Sequence, residues 1–96
     1  MMKAVLLRRS KDVVERQVAG EAFLVPIRGR LADIKGLYAL NTVGSFIWGR
    51  IDGQTDMAGL ARAVAESFDV STATAAADTE ELLGTLREHG FVEDAT

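Results

Sequence analysis

Few side chains of this 96-residue chain could carry out covalent or metal chemistry. The sequence has no cysteine and a single histidine, His89, so it lacks a thiolate nucleophile and the ligands of a cysteine-rich or histidine-rich metal site. It also has no glycine-rich phosphate loop and no nucleophile with a paired base. We therefore expect a protein that is not an enzyme and that uses no metal or other cofactor.

Charged residues are distributed unevenly along the chain, whose formal net charge is −3. Residues 1–50 contain nine lysines and arginines against four acidic residues, whereas residues 51–96 contain two against ten. This split predicts two faces of opposite potential, which would orient a charged partner and speed its encounter with the protein.

The first residues do not have the pattern of a targeting segment. Residues 1–7 are apolar for too few positions to be a signal peptide or a membrane span, and residues 3–7 alternate too poorly to predict a strand. Arg8, Arg9 and Lys11 follow them, and we expect these cations to form a solvated arm, with contact to an acidic partner as the alternative. The default prediction is a cytoplasmic protein without membrane contact.

Residues 36–53 combine a strand, a helix start and a helix stop in direct succession. Residues 37–40 are compatible with a strand, and the Asn41 side chain can accept a hydrogen bond from the free N–H groups of a helix that begins directly after it. Asp52-Gly53 predicts the left-handed stop of a C-cap. The apolar residues at helical spacing, which predict one buried stripe, are Val43, Phe46, Ile47 and Ile51.

A β-hairpin is predicted before this stretch. Residues 13–18 mix β-branched and polar types and predict one strand, residues 19–21 predict a turn, and residues 22–27 predict a second strand. Pro26 has no backbone donor, which places it on an unpaired side or at the end of that strand. Residues 28–35 predict a loop.

Two further helices are predicted after residue 53. Thr55 or Asp56 is the expected N-cap of the second helix, and Ser71 or Thr72 is the expected N-cap of the third. Gly90 ends the third helix, and the two apolar residues after it can fold back onto the core. The apolar positions at helical spacing are Met57, Leu60, Ala61, Val64 and Phe68 in the second helix and Leu82, Leu83 and Leu86 in the third.

The element order is three short N-terminal β-strands followed by three α-helices. This order predicts an α+β fold with a winged helix-turn-helix arrangement. We expect one domain over residues 1–96, with a core that spans about residues 13–92 and a loose tail over residues 93–96.

Four segments form a recognisable set: Leu40-Asn41-x-Val43-Gly44-x-x-Ile47-Trp48, Asp52-Gly53, Leu60-Ala61 and Asp78-x-x-x-Leu82-x-x-Leu86-x-x-x-Gly90-Phe91-Val92. This set resembles the PqqD family, named after the pyrroloquinoline quinone biosynthesis protein D, and the resemblance extends over about residues 13–92. Asp56-Met57 stands where members usually show a Thr-Val pair, which keeps a capping side chain and an apolar residue. The loop over residues 28–35 is long for the family, which bears on the substrate that is accepted.

The resemblance implies a non-catalytic peptide chaperone, the recognition element for ribosomally synthesised and modified peptides. Such a protein holds the leader segment of a precursor peptide and presents it to a modifying enzyme, often a radical S-adenosylmethionine enzyme. In the family fold the leader adds as an extra strand beside the third strand, in a groove walled by the third helix. An open sheet edge suits this role because its unpaired N–H and C=O groups can bind an extended peptide.

The predicted peptide-binding site therefore lies on two elements. The strand edge is expected at Gly36, Leu37, Tyr38, Ala39 and Leu40. The groove wall is expected at Asp78, Leu82, Thr85 and His89, which lie within about 60° of one another on a helix, and at the adjacent Glu81. The opposite flank of the helix, with Leu83 and Arg87, is left open as the alternative wall.

Most of these residues also have a purely structural interpretation. Leu37, Leu40 and Leu82 are candidate core residues, and Tyr38 can be an ordinary half-buried aromatic residue. His89 lies near a helix C-terminus, where the helix dipole favours a positively charged imidazole, so its role can be structural. Trp48 is expected to be a core residue or an anchor for a partner enzyme.

Two other functions are compatible with the predicted fold. One is a protein-binding regulatory or assembly domain that holds no precursor peptide. The other is a DNA-binding winged-helix regulator, but the third helix has four acidic residues against Arg87 alone, and phosphate binding needs lysines and arginines there. We therefore expect no nucleic-acid partner. The exposed edge is compatible with a monomer or with a dimer in which it pairs with its own copy.

Overall fold

Two three-stranded antiparallel sheets and three helices form the part of the chain that the structure, a computed structural model, describes: residues 6–27 and 38–95. The predicted α+β class is confirmed, and the winged helix-turn-helix arrangement stays a prediction. The predicted loop over residues 28–35 and the start of the third strand, Gly36 and Leu37, lie outside the described residues. The elements in chain order are β1 (Leu6–Arg9), β2 (Val13–Val18), β3 (Glu21–Pro26), β4 (Tyr38–Leu40), α1 (Thr42–Arg50), β5 (Asp52–Asp56), α2 (Met57–Phe68), α3 (Thr72–Glu88) and β6 (Val92–Asp94).

The first sheet has the strand order β2-β3-β4, so β4 lies at its edge. β2 and β3 form a hairpin whose register begins with Val13 opposite Pro26. The two turn residues, Ala19 and Gly20, have positive φ angles of 52° and 83°, as a tight two-residue hairpin turn requires. The hairpin predicted over residues 13–27 is therefore confirmed.

The second sheet has the strand order β5-β1-β6, and the sequence pattern does not predict it. Arg8 in β1 lies opposite Glu93 in β6, and the two side chains form an ion pair at 2.8 Å. The expected solvated arm is therefore wrong for Arg8 and Arg9, and the expected loose tail is wrong because β6 covers residues 92–94. These strands are short and mostly polar and pair with distant segments, so no local alternation marks them.

α1 begins where the sequence predicts but ends earlier. The Asn41 side chain accepts a hydrogen bond from the backbone N–H of Gly44 at 2.7 Å, which confirms the predicted N-cap. The helix ends at Arg50, and Ile51 after it has an extended backbone. The predicted glycine cap at Gly53 is therefore wrong.

Gly53 lies in β5 and has a φ angle of 79°. Beside it, the Asp52 carboxylate accepts backbone hydrogen bonds from Gln54 at 2.8 Å and from Thr55 at 2.9 Å. The bond from Gln54 is the main cause that holds the pKa of the Asp52 carboxyl below its ordinary value. An Asp-Gly pair predicts a positive φ, but helix caps and turns both use that angle, and the local sequence does not distinguish them.

α2 and α3 begin at predicted cap residues. The Asp56 side chain accepts a hydrogen bond from the N–H of Gly59 at 2.8 Å, and the Ser71 hydroxyl accepts one from the N–H of Thr74 at 3.1 Å. Each cap satisfies a backbone donor that would have no partner within its own helix. Of the two alternatives for each helix, the structure therefore selects Asp56 and Ser71.

Gly90 ends α3 as predicted, with a φ angle of 77°. Its N–H donates to the carbonyl of Arg87 at 3.0 Å, and the N–H of Phe91 donates to the carbonyl of Leu86 at 2.9 Å. These two bonds define a Schellman motif. The motif directs Phe91 and Val92 onto the core, where both are buried.

One apolar cluster connects both sheets with all three helices. Trp48 is only 2% exposed and belongs to this cluster, so it is a core residue. Met57, predicted on the buried stripe of α2, is 41% exposed because it occupies the first position of the helix, at its surface end. The most deeply buried large apolar side chains are Leu24, Ile47, Ile51, Leu60, Val64, Leu86 and Phe91.

Thr79 on α3 is the polar side chain to change for higher stability. It is 0% exposed, and its hydroxyl has no hydrogen-bond partner among the described residues. A buried hydroxyl without a partner costs about 1–3 kcal/mol. We expect Thr79→Val to raise the free energy of unfolding by about 1 kcal/mol or more, measured by urea denaturation at constant m-value.

Thr79→Ser is the matched control for this prediction. It keeps the hydroxyl and removes a buried methyl group, so we expect it to lower the free energy of unfolding by about 1 kcal/mol. A Thr79→Val protein that is less stable than the parent would show that the hydroxyl does have a partner.

Candidate binding cleft

The direction of the backbone groups of β3 follows from one hydrogen bond at the end of the hairpin. The N–H of Ile27 donates to the carbonyl of Asp12 at 2.7 Å, in the same register that pairs Val13 with Pro26. In an antiparallel ladder, hydrogen-bonded and non-hydrogen-bonded pairs alternate along the strand. The backbone groups of Ile27 face β2, and those of every second residue before it do the same. Ala22 and Leu24 are five and three positions from Ile27, so they belong to the other set and direct their N–H and C=O groups away from β2 and toward β4.

This alternation identifies the backbone groups on the open edge of β4. Ala22 lies opposite Leu40 and Leu24 lies opposite Tyr38, so the backbone groups of Tyr38 and Leu40 face β3. The N–H and C=O of Ala39 point the other way, to the side where no described strand pairs. Ala39 is therefore the residue of β4 that offers backbone hydrogen bonds to a further strand.

A cleft of about 310 Å³ lies between β4, the first turns of α1, and α3. Its apolar lining includes Val43, Leu82 and the ring of Tyr38, which are partly buried against the core cluster. Besides Leu82, the α3 side of the lining is polar, with two carboxylates and one hydroxyl. The lining residues are Tyr38, Asn41, Val43, Gly44, Ile47, Asp78, Glu81, Leu82 and Thr85.

Three aromatic rings pack against one another where the C-terminal end of α3 meets β4. The rings of Tyr38 and His89 are edge to face with centroids 5.3 Å apart, and Phe91 lies 5.9 Å from Tyr38 and 5.3 Å from His89. His89 Nδ1 lies 2.8 Å from the carbonyl of Thr85, to which it donates because a carbonyl can only accept. Tyr38 is thus positioned by the same glycine-capped turn that buries Phe91.

Two carboxylates, those of Asp78 and Glu81, are the charged groups among the residues that line the cleft. Both side chains are exposed, and neither forms an ion pair within residues 6–27 and 38–95. The nearest cation along α3, Arg87, is paired with Asp94 at 2.6 Å. The cleft therefore has a negative potential that no described side chain neutralises.

The structure brings most of the predicted site residues together. Tyr38, Asp78, Glu81, Leu82 and Thr85 line one cleft, and His89 contacts Tyr38 at its end. Ala39 contributes its backbone to the open edge, while the Leu40 side chain is only 8% exposed and belongs to the core. Gly36 and Leu37 lie outside the described residues.

The alternative wall on α3 does not face this cleft. Leu83 is only 4% exposed, Arg87 pairs with Asp94 on the surface, and neither residue lines the cleft. The sequence-based site omitted four lining residues on and before α1, namely Asn41, Val43, Gly44 and Ile47. The signal that could have identified two of them is the i, i+4 spacing of Val43 and Ile47, directly after the edge strand.

Residues 6–27 and 38–95 contain neither a cluster of metal ligands nor a membrane-spanning helix. No group of three or more histidine, cysteine, aspartate or glutamate side chains is placed there to hold a metal ion. None of the helices described is long and apolar enough to cross a membrane.

The fold and the sequence of the chain are both similar to those of known proteins. The fold is similar to that of a solved structure, TbiB1 in complex with the TbiA(beta) leader peptide, with a TM-score of 0.71 and 21% sequence identity over 90% of this chain and 94% of the other. No curated protein has a similar sequence. The sequence profile of the family described as Coenzyme PQQ synthesis protein D (PqqD) matches residues 21–92, from the start of β3 to the start of β6. The chain therefore belongs to the PqqD family.

Proposed function

We propose that this protein is a non-catalytic peptide chaperone that binds the leader segment of a ribosomally synthesised precursor peptide by strand addition. The observation that carries the proposal is the open edge of β4, where Ala39 directs its backbone groups outward beside a cleft. An extended peptide in this place satisfies the edge with backbone hydrogen bonds, and its side chains enter the cleft for recognition.

The dimensions of the cleft suit a short extended segment. From Asp78 in the cleft to His89, which contacts Tyr38 at the end of the cleft, α3 and its C-cap span eleven positions, which is about 16 Å at the helical rise of 1.5 Å per residue. An added strand of about five residues covers the same length. Strand β4 is itself only three residues long, so the bound segment also contacts α3 and the start of α1.

Membership of the PqqD family and the fold shared with TbiB1, a protein solved with a leader peptide, both support a precursor peptide as the partner. The second partner that we propose is the enzyme that modifies the precursor, a radical S-adenosylmethionine enzyme or another peptide-modifying enzyme in the cytoplasm. The protein contributes binding and presentation, and the reaction takes place on that enzyme.

Calorimetry with the full chain tests the proposal. We expect the short precursor peptide encoded next to this protein to bind with 1:1 stoichiometry and a Kd in the micromolar range or tighter, which corresponds to about −8 kcal/mol. A parallel titration with duplex DNA should be flat because the cleft is acidic. A flat peptide titration, or heat with DNA alone, would contradict the proposed function.

The open edge also has a consequence for self-association. If β4 pairs with its own copy in a dimer, the dimer and the peptide compete for the same backbone groups of Ala39. The peptide should then convert any dimer into a 1:1 complex, which sedimentation velocity can follow.

A further inference from the structure

We infer that the cleft selects a peptide segment in which a lysine or arginine lies two positions from an apolar residue, and that Asp78 and Glu81 recognise the cation. This inference rests on the proposed function and specifies the chemistry of its ligand. It depends on three features together: the open edge, the apolar surface beside it, and the charge of the α3 wall.

One of these three features is the negative charge that Asp78 and Glu81 give to the α3 wall of the cleft. Asp78 and Glu81 are three positions apart, so they lie on neighbouring turns of the same helix face and can contact one cationic side chain together. Neither carboxylate has an ion-pair partner among the described residues, whereas Arg87, on the same helix, is paired with Asp94. A peptide cation would therefore meet two carboxylates without displacing an existing pair.

The spacing of two positions between the basic and the apolar residue of the peptide follows from the geometry of a helix beside a strand. Leu82 lies four positions after Asp78, which is about 6 Å along α3. Two residues of an extended strand span about 6.6 Å, and residues two apart direct their side chains to the same face. A basic side chain next to Asp78 therefore places the side chain two positions away next to Leu82, where Tyr38 and Val43 also offer apolar surface.

The strength of the preference follows from the exposure of the carboxylates. Exposed ion pairs contribute little each, because water and salt screen the attraction between the charges. With two carboxylates, replacing the peptide cation with glutamine should weaken binding about fivefold, and the difference should diminish at high salt. Backbone pairing and apolar contact supply the remaining affinity, so a glutamine peptide still binds.

The test uses a display library of random 12-residue peptides, selected on the full-length chain. We expect the recovered peptides to be enriched in lysine or arginine two positions from an apolar residue. The variant Asp78→Lys/Glu81→Lys should reverse this preference toward aspartate and glutamate. Circular dichroism checks that the variant is folded, and fluorescence anisotropy on a recovered peptide and its Lys→Gln counterpart measures the ratio of Kd values.

The matched control is Glu80→Lys/Glu88→Lys on the same helix. Both residues are exposed and neither lines the cleft, yet the control changes the net charge by the same amount. It should keep the lysine and arginine preference. An equal reversal in the control would overturn the inference, because the preference would then reflect net charge rather than the cleft.

The failures of the two proposals are distinguishable in this experiment. Peptides recovered without a basic preference, or with one that Asp78→Lys/Glu81→Lys leaves unchanged, overturn the cation site and leave strand addition intact. If the wild-type chain selects no peptides and its precursor titration is flat, both the proposed function and this inference are wrong.

Discussion

Replacing Ala39 with proline should weaken peptide binding by at least about tenfold while the domain stays folded. Proline removes the N–H that Ala39 directs to the open edge, and its ring occupies the space where the added strand would lie. Each backbone hydrogen bond contributes about 0.5–1.5 kcal/mol, and the steric conflict adds to that loss. Calorimetry measures the Kd, and far-UV circular dichroism measures the fold.

Two matched variants make this prediction specific to the edge. Ala39→Thr keeps the N–H and introduces a residue that favours strands, so binding should stay within a few fold of the parent. Tyr38→Pro removes a donor that faces β3, and it should destabilise the first sheet itself. Wild-type affinity in a folded Ala39→Pro protein would place the peptide somewhere other than the β4 edge.

Replacing Phe91 with alanine should lower the free energy of unfolding by about 3–5 kcal/mol. The side chain is only 2% exposed and is held by the Schellman motif after α3, so its removal leaves a cavity in the core. Domains of this size have a total stability of about 5–15 kcal/mol, so the loss is a large fraction of it. The only tryptophan, Trp48, is buried and reports unfolding through its fluorescence in urea.

His89→Ala is the control for Phe91→Ala. Both side chains contact Tyr38, but His89 is exposed, so its loss should cost less than about 1.5 kcal/mol. The two variants together separate core packing from the aromatic contact at the end of the cleft. A Phe91→Ala protein that loses less than about 1 kcal/mol would show that this turn does not anchor the core.

The local patterns predicted much of the secondary structure. Asn41, Asp56 and Ser71 are caps whose side chains bond backbone groups three positions away, and such bonds depend only on neighbouring residues. The turn at Ala19-Gly20 and the glycine stop at Gly90 are local in the same sense. These features could therefore be derived from the sequence without knowledge of the fold.

The second sheet could not be predicted in this way. β1 joins β5 and β6, which come from the middle and the end of the chain, and its strands have too few apolar residues to alternate visibly. The pairing of Arg8 with Glu93 shows why an arm and a tail that look solvated in isolation become ordered together. Each supplies the backbone and charge partners that the other lacks.

The amino-acid sequence alone determined the α+β class, the N-cap of α1 at Asn41, the glycine stop of α3 at Gly90 and, through its motifs, the resemblance to the PqqD family. It also placed Asp78, Leu82, Thr85 and His89 on one helix face, because helical spacing is a local property. Only the tertiary structure decided that this face, and not the flank with Leu83, lies beside β4. It also decided that Ala39, rather than its neighbours, presents the open backbone groups, because the register of β4 on β3 depends on contacts between strands that are distant in sequence.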